Sequence, residues 1–190
     1  MRVIAGKYRS RQLKSLPGLD LRPTADRLRE TLFNVLTAGN PAALEGTAWL
    51  DLYAGTGAVG IEAVSRGASM VYFAESSARA TELIKQNLTS LGIATGIQIL
   101  KQDSIRSLRA LESGGIRADF IFLDPPYEME KAYVQTLSSL ARSPVLKPET
   151  IVVAEHPKKF EPGEDFAPLR RYRKLVQGDA ALSFYRNQNT

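Results

Sequence analysis

An α/β domain built on a mostly parallel sheet is the fold class that this sequence predicts. Three observations carry the prediction: short apolar runs recur along the chain, helical patterns lie between them, and glycines stand at the junctions. At 190 residues and 44% hydrophobic content the chain can bury a full core, yet it has little room for a second large domain. The sequence divides into a basic N-terminal extension over residues 1–40 and a main domain over 41–190.

The elements follow in order. Val3 to Leu21 is short, basic and broken by Gly6, Pro17 and Gly18, the pattern of a small strand pair or an arm. A helix begins around Pro23 and Thr24, where Leu28, Leu32, Val35 and Leu36 form an apolar stripe and Arg22, Arg27 and Arg29 lie off it. Ala48 to Tyr53, Met70 to Ala74, Ile97 to Leu100, Asp119 to Leu123 and Ile151 to Ala154 are the strands, with Trp49 and the strand phenylalanines in the core. Ala80, Leu83, Ile84, Leu88 and Leu91 share a helix face, as do Tyr133, Leu137, Leu140 and Ala141. Gly67 and Gly92 stand where helix ends favour glycine. His156 is expected as a loop or capping side chain after the fifth strand. Arg170 to Val176 and Ala181 to Tyr185 flank a four-residue turn, which predicts an antiparallel hairpin at the sheet edge, seven strands in all and a mixed sheet.

Charge is uneven. Residues 1–30 hold eight basic and three acidic side chains, whereas the other 160 residues hold 17 of each sign. The excess of +5 thus sits at the N-terminus, and a polyanion is its natural partner, because Lys and Arg that neutralise phosphates release counterions. Lys7, Arg9, Arg11, Arg22, Thr24, Arg27 and Arg29 are the candidate RNA contacts. With no Cys, disulfides, thiolate metal sites and cysteine nucleophiles are excluded, and a single His makes no metal constellation. The first residues lack the apolar run of a signal peptide, and no stretch reaches the ~20 apolar residues of a membrane helix. A cytoplasmic monomer without metal is the simplest expectation.

The chemistry begins after the first strand. Asp51-Leu52-Tyr53-Ala54-Gly55-Thr56-Gly57-Ala58-Val59-Gly60 ends a strand, opens a helix and contains G-x-G-x-x-G, where the backbone must turn tightly and approach a ligand without a Cβ in the way. Glu75 follows 20 residues past Gly55, where a carboxylate can accept from two ribose hydroxyls. These features indicate a nucleoside cofactor, NAD or S-adenosylmethionine, without choosing between them. Asp103 can accept from an adenine amino group or serve as a helix N-cap. Asp51, Tyr53, Ala54, Gly55, Thr56, Gly57, Gly60, Glu75, Ser76, Asp103 and Ser104 make up the candidate cofactor site.

Asp124-Pro125-Pro126-Tyr127 is the more specific motif. Two prolines remove two N–H donors and keep Asp124 and Pro125 extended, so a stiff turn presents the Asp carboxylate and a Pro carbonyl as acceptors. An exocyclic NH2 donates two hydrogen bonds and suits such a pair. Accepting from its hydrogens favours a pyramidal nitrogen whose lone pair can meet an electrophilic methyl group. Tyr127 can stack on a base lifted from its helix.

On these residues the chain resembles, nearly end to end, the RsmD-type family of bacterial 16S rRNA guanine-N2 methyltransferases. Arg2-Val3-Ile4-Ala5-Gly6 with Arg9 and Leu13, and Arg22-Pro23-Thr24 with Arg27, Arg29-Glu30 and Leu32-Phe33-Asn34, narrow the match beyond methyltransferases in general. Glu62-Ala63, Ser65-Arg66-Gly67-Ala68 and the two motifs above complete it, while Tyr53 and Thr56 stand where Phe and Ser are usual. The resemblance implies a Rossmann-like class I methyltransferase fold with S-adenosylmethionine under the glycine loop. It places Glu75 on the ribose, Asp103 near the adenine and Asp124 to Tyr127 around the target amine. It also implies 16S rRNA, in the small subunit or an assembly intermediate, as substrate. Alternatives are an adenine-N6 DNA or RNA methyltransferase, an NAD-dependent oxidoreductase and a non-catalytic RNA-binding module.

Overall fold

The computed structural model describes residues 1–15 and 23–188, without the side chains of 23–25. Arg22 and the side chain of Thr24 therefore lie outside the described residues. In chain order the elements are α1 (Pro23–Leu36), β1 (Ala48–Leu52), α2 (Ala58–Ser65), β2 (Met70–Ala74), α3 (Ala78–Leu91), β3 (Ile97–Leu100), α4 (Ser104–Ser113), β4 (Ala118–Leu123), α5 (Glu130–Ala141), β5 (Leu146–Pro157), β6 (Asp165–Phe166), β7 (Leu169–Gln177) and β8 (Ala180–Asn187).

One sheet in the order β3-β2-β1-β4-β5-β8-β7-β6 organises the molecule. β3, β2, β1, β4 and β5 are parallel, and β8, β7 and β6 join antiparallel. The parallel strands and the C-terminal hairpin are as the sequence predicts, and the two-residue β6 adds an eighth strand to the expected seven. Strand alternation divides the core into two layers. Trp49, Val71, Phe73, Phe120, Phe122, Val153 and Phe184 pack with α1, α2 and α3 on one face. Leu50, Tyr72, Ile121, Leu123, Val152 and Tyr185 pack with α4 and α5 on the other. Phe33 and Phe120 stack on either side of Trp49 at 5.3 and 5.6 Å, which joins α1 to the centre of the sheet.

Residues 1–15 make one isolated bridge, Arg2 with Gln12, in place of a strand pair. This arm is nevertheless tightly held. Glu62, wholly buried on α2, accepts from Ile4 N and Ala5 N at 2.8 and 2.9 Å and pairs with Arg66 at 2.8 Å. Val3 and Leu13 enter the core beside Leu28 and Leu32. Gly6 adopts φ +77 with no space for a Cβ against the Ser65 carbonyl, so the arm can lie flat on the end of α2.

His156 corrects the sequence expectation. It lies inside β5, not in a loop, and is fully buried beside Tyr133 and Phe160. Its Nδ1 donates to the Pro157 carbonyl, so Nε2 accepts from Ser183 Oγ at 2.9 Å. Pairing with β8 carries β5 through Glu155, His156 and Pro157, beyond the last β4 partner at Ala154, and that long-range contact has no local signal. Among the described residues no helix is long and apolar enough to cross a membrane.

Candidate active site

The strand order reverses between β1 and β4, and in open α/β sheets the carboxyl ends of strands at such a switch point are where ligands bind. Both sequence motifs arrive there. β1 ends at Leu52 and β4 at Leu123, paired in register, so the glycine loop and the Asp124 turn emerge side by side.

The loop is built from its own backbone outward. Tyr53 leaves β1 at φ +67, a left-handed conformation unusual for a side chain of its size, and its hydroxyl meets Thr136 Oγ1 of α5 at 2.9 Å. Ala54 N donates to Ala74 O, and Gly57 N returns to Ala54 O at 2.7 Å. Gly55 and Gly57 take φ +55 and +76. Gly60 answers a packing demand, because a Cβ there would overlap the Phe73 ring. Asp51, buried under the turn, accepts from Gly60 N at 2.9 Å and so ties the strand end to α2.

Glu75, at the end of β2, accepts from Gly55 N at 2.8 Å and Ser77 N at 2.7 Å. Each carboxylate oxygen keeps lone-pair capacity for a further donor. Ser76 beside it is exposed. Asp103 is an N-cap: its side chain accepts from Arg106 N at 2.9 Å, and its second oxygen lies 3.4 Å from Arg106 Nε. Ser104 is buried in the first turn of α4. Thr56 contributes its carbonyl to Asn87 Nδ2 at 3.0 Å, and Asn87 also accepts from Lys14 N. The arm and the glycine loop are thereby joined through one buried amide that sequence reasoning missed.

At the end of β4, Asp124 N donates to Leu52 O at 3.4 Å, while its carboxylate has no hydrogen-bond partner among the described residues. Pro125 is buried, and Pro126 is exposed. The Pro125 carbonyl accepts from the hydroxyl of buried Tyr133 at 3.2 Å. Met129 N closes the turn on Pro126 O at 2.8 Å, and the Tyr127 ring is 43% exposed. The sequence marked Tyr133 only as a helix-face residue; the polar end of an otherwise core side chain was the available signal.

Across the carboxyl edge stand Glu75, Asp51, Asp124 and Glu155, one acid from each of β2, β1, β4 and β5, which are consecutive in the sheet. Burial pushes Asp51 well above the ordinary carboxylate range, and the charges of Asp124 and Glu75 push the same way against the Gly60 hydrogen bond. Burial raises Asp124 to about 7. Glu155 is raised by burial and by Asp124, with Arg29 pulling it down. Asp51, Asp124 and Glu155 thus resist ionisation together, the mark of a site short of positive charge. Among the described residues no three such groups converge in the manner of a metal site.

The expected RNA contacts separate into two kinds. Lys7, Arg9, Arg11 and Arg27 are exposed, with Arg11 also donating to Ser90 O at 2.8 Å. Arg29 departs from the expectation. It is only 5% exposed, donates to Arg2 O at 2.6 Å and Asp26 at 3.0 Å, and lies 4.0 Å from Glu62. The buried acids of α2 and the sheet edge draw this guanidinium inward, where it serves as an internal counter-charge.

A family model described as Conserved hypothetical protein 95 matches residues 1–186. The Bacillus subtilis protein named "Putative rRNA methyltransferase YlbH" is 33% identical over 188 residues, covering 99% of this chain and 100% of its own. Ribosomal RNA small subunit methyltransferase D of Haemophilus influenzae is 35% identical over 159 residues, 83% of this chain and 79% of its own. The solved structure "Putative methyltransferase yhhF" from Escherichia coli superposes with TM-score 0.81 at 30% identity, covering 98% of this chain and 97% of that one. With a match along its full length and the methyltransferase strand order around the switch point, the chain belongs to the Conserved hypothetical protein 95 family, that of the RsmD-type rRNA methyltransferases.

Proposed function

We propose that this protein transfers the methyl group of S-adenosylmethionine to the exocyclic N2 amine of a guanine in 16S rRNA. The observation that carries the reading is the unpartnered Asp124 carboxylate beside the Pro125 carbonyl, which keeps a lone pair beyond its bond from Tyr133, set into a row of carboxylates at the switch point. The family's rRNA methyltransferases supply the substrate class.

The residues fit the cofactor. Gly55 and Gly57 in left-handed conformations leave the loop backbone open to a ligand, Glu75 keeps an acceptor on each oxygen for ribose hydroxyls, and the acid row complements a sulfonium cation. When bound, S-adenosylmethionine supplies an electrophilic methyl on a positively charged sulfur that departs as a neutral thioether. The chain's residues do the rest by orientation. Asp124 and the Pro125 carbonyl accept the two amine hydrogens, so the nitrogen lone pair is free to form the new N–C bond as the C–S bond breaks. The nitrogen becomes cationic and must lose one proton, and Asp124, raised to about 7, is the nearest acceptor that can hold it. Tyr127 stacks on the base.

Lys7, Arg9, Arg11 and Arg27 supply phosphate contacts on this reading. The test is labelled-methyl transfer to small subunits from cells that lack the protein, followed by nucleoside chromatography. Label in N2-methylguanosine is the expected result. Label in N6-methyladenosine keeps the chemistry and overturns the base, and no transfer to subunits or naked 16S RNA overturns the function.

A further inference from the structure

The outer hairpin carries a second cationic surface that the N-terminal charge excess does not reveal. β7 reads Leu169-Arg170-Arg171-Tyr172-Arg173-Lys174-Leu175-Val176-Gln177, four basic residues in five positions. The fold sorts them onto two faces. Arg171 pairs with Glu161 and Glu164, and Lys174 pairs with Glu161, on the face shared with Tyr185. Those cations are neutralised.

The opposite face is different. The β7–β8 register shifts between Arg171 and Arg173, so Tyr172 is an extra residue with no partner in the ladder. Such a bulge turns consecutive side chains to the same side. Tyr172 lies 6.2 Å from the Phe184 ring, and Arg173 is the register partner of Phe184. Arg186 places its guanidinium 5.0 Å from the centre of the Tyr172 ring. Arg170 is directly opposite Arg186, a like-charge cross-strand pair that costs stability. Arg170, Arg173 and Arg186 are exposed, and none has an ion pair among the described residues. Tyr172 is 41% exposed. Three exposed arginines without an ion pair thus stand around a half-open aromatic ring, a surface that suits an anionic partner.

We propose that the Arg170–Tyr172–Arg173–Arg186 face of the hairpin is a second RNA-docking surface, where the arginines neutralise phosphates and Tyr172 stacks on a base or ribose. RNA fits better than an acidic protein segment because a cation-flanked ring offers both phosphate contact and a stacking plane. The face lies on the α1 side of the sheet, where Thr31 of α1 hydrogen-bonds Gln177 at the other end of β7 at 2.8 Å. Three strand spacings separate β7 from β4, the register sets Asp124 level with Leu175, and Phe184 and Arg186, the partners of Arg173 and Arg170, follow Leu182 by two and four residues, which puts the cluster roughly 16–20 Å from Asp124. It therefore holds RNA outside the target nucleotide. This inference rests on the rRNA reading above.

The experiment compares Arg173→Glu, Tyr172→Ala and Arg170→Glu with Arg109→Glu, an equal charge change at an exposed position on α4 across the sheet. Binding to naked 16S RNA and methyl transfer to small subunits are measured across a salt series. The hairpin variants are expected to weaken RNA binding several-fold and to raise the KM for subunits. The kcat and cofactor affinity should hold, and the salt slope should fall by about one for each phosphate that is no longer neutralised. Arg170→Glu also replaces the like-charge pair with an ion pair across from Arg186, so its Tm should hold or rise while RNA affinity drops, which separates docking from folding. If wild type binds and methylates RNA but the hairpin variants match Arg109→Glu, the surface is overturned and the substrate reading stands. If they lose subunit affinity while binding naked RNA normally, the occupant is a ribosomal protein and the RNA assignment is overturned. If wild type itself neither binds nor methylates rRNA, the substrate reading falls and takes this surface with it.

Discussion

On the proposed reading Asp124 bears two demands at one carboxylate: it accepts from an amine, and it sits where burial disfavours its charge. Its raised value sets the sign of the pH dependence. Above about 7 the group is ionised and both oxygens accept; below, it is protonated and one becomes a donor. The kcat/KM should therefore fall as pH drops through about 7, and a profile flat from pH 6 to 8 would show that Asp124 is not the controlling group. Asp124→Ala is expected to cut kcat by two or more orders of magnitude and to leave cofactor affinity nearly unchanged; equal loss of both would indicate a folding defect. On the same reading Tyr133 acts one bond further out, since its hydroxyl donates to the Pro125 carbonyl and leaves that oxygen a second lone pair for the amine. Tyr133→Phe should lower kcat about tenfold at a stability cost of ~1 kcal/mol, the usual worth of one neutral hydrogen bond. A drop in Tm without a change in kcat would reduce Tyr133 to packing.

Among the elements, the β1–α2 junction is the most constrained. Asp51 holds Gly60 N from below, and the Phe73 ring occupies the space where a Cβ at Gly60 would project. Gly60→Ala must displace an aromatic ring in the core, so it should destabilise by ~1–3 kcal/mol and weaken cofactor binding through the loop it shifts. Adding Phe73→Leu should recover part of the Tm; no recovery would mean that the helix N-terminus, not the ring, resists the methyl group. The glycine pattern was legible in the sequence because it is local. The reason for this third glycine was not, since Phe73 arrives from the next strand. β5 illustrates the same limit: four of its residues had a local apolar signature, whereas Glu155, His156 and Pro157 are strand because β8 pairs with them, and Leu146 at the other end pairs with Ala118 of β4.

For the whole molecule, the arm and the carboxyl edge of the sheet form one connected structure. Glu62 ties the arm to α2, Asn87 ties it to the glycine loop, and Arg29 stands between Glu62 and the influence of Glu155. Charge reversal of both Arg9 and Arg11 should weaken RNA binding severalfold, with a smaller salt slope, while cofactor affinity holds, because both residues are exposed. Unchanged RNA affinity would remove the arm from the RNA-contacting surface. The sequence by itself determined the α/β class, the glycine loop, the Asp124 turn and the basic arm, since each depends on residues close together in the chain and on periodicities that strands and helices impose. Only the tertiary structure decided which charges face outward, which acids line up across four strand ends, and which face of β7 is left without counter-charges. Burial and pairing join residues far apart in the chain, and for charged groups it is burial and pairing, more than residue type, that separate a structural role from a binding one.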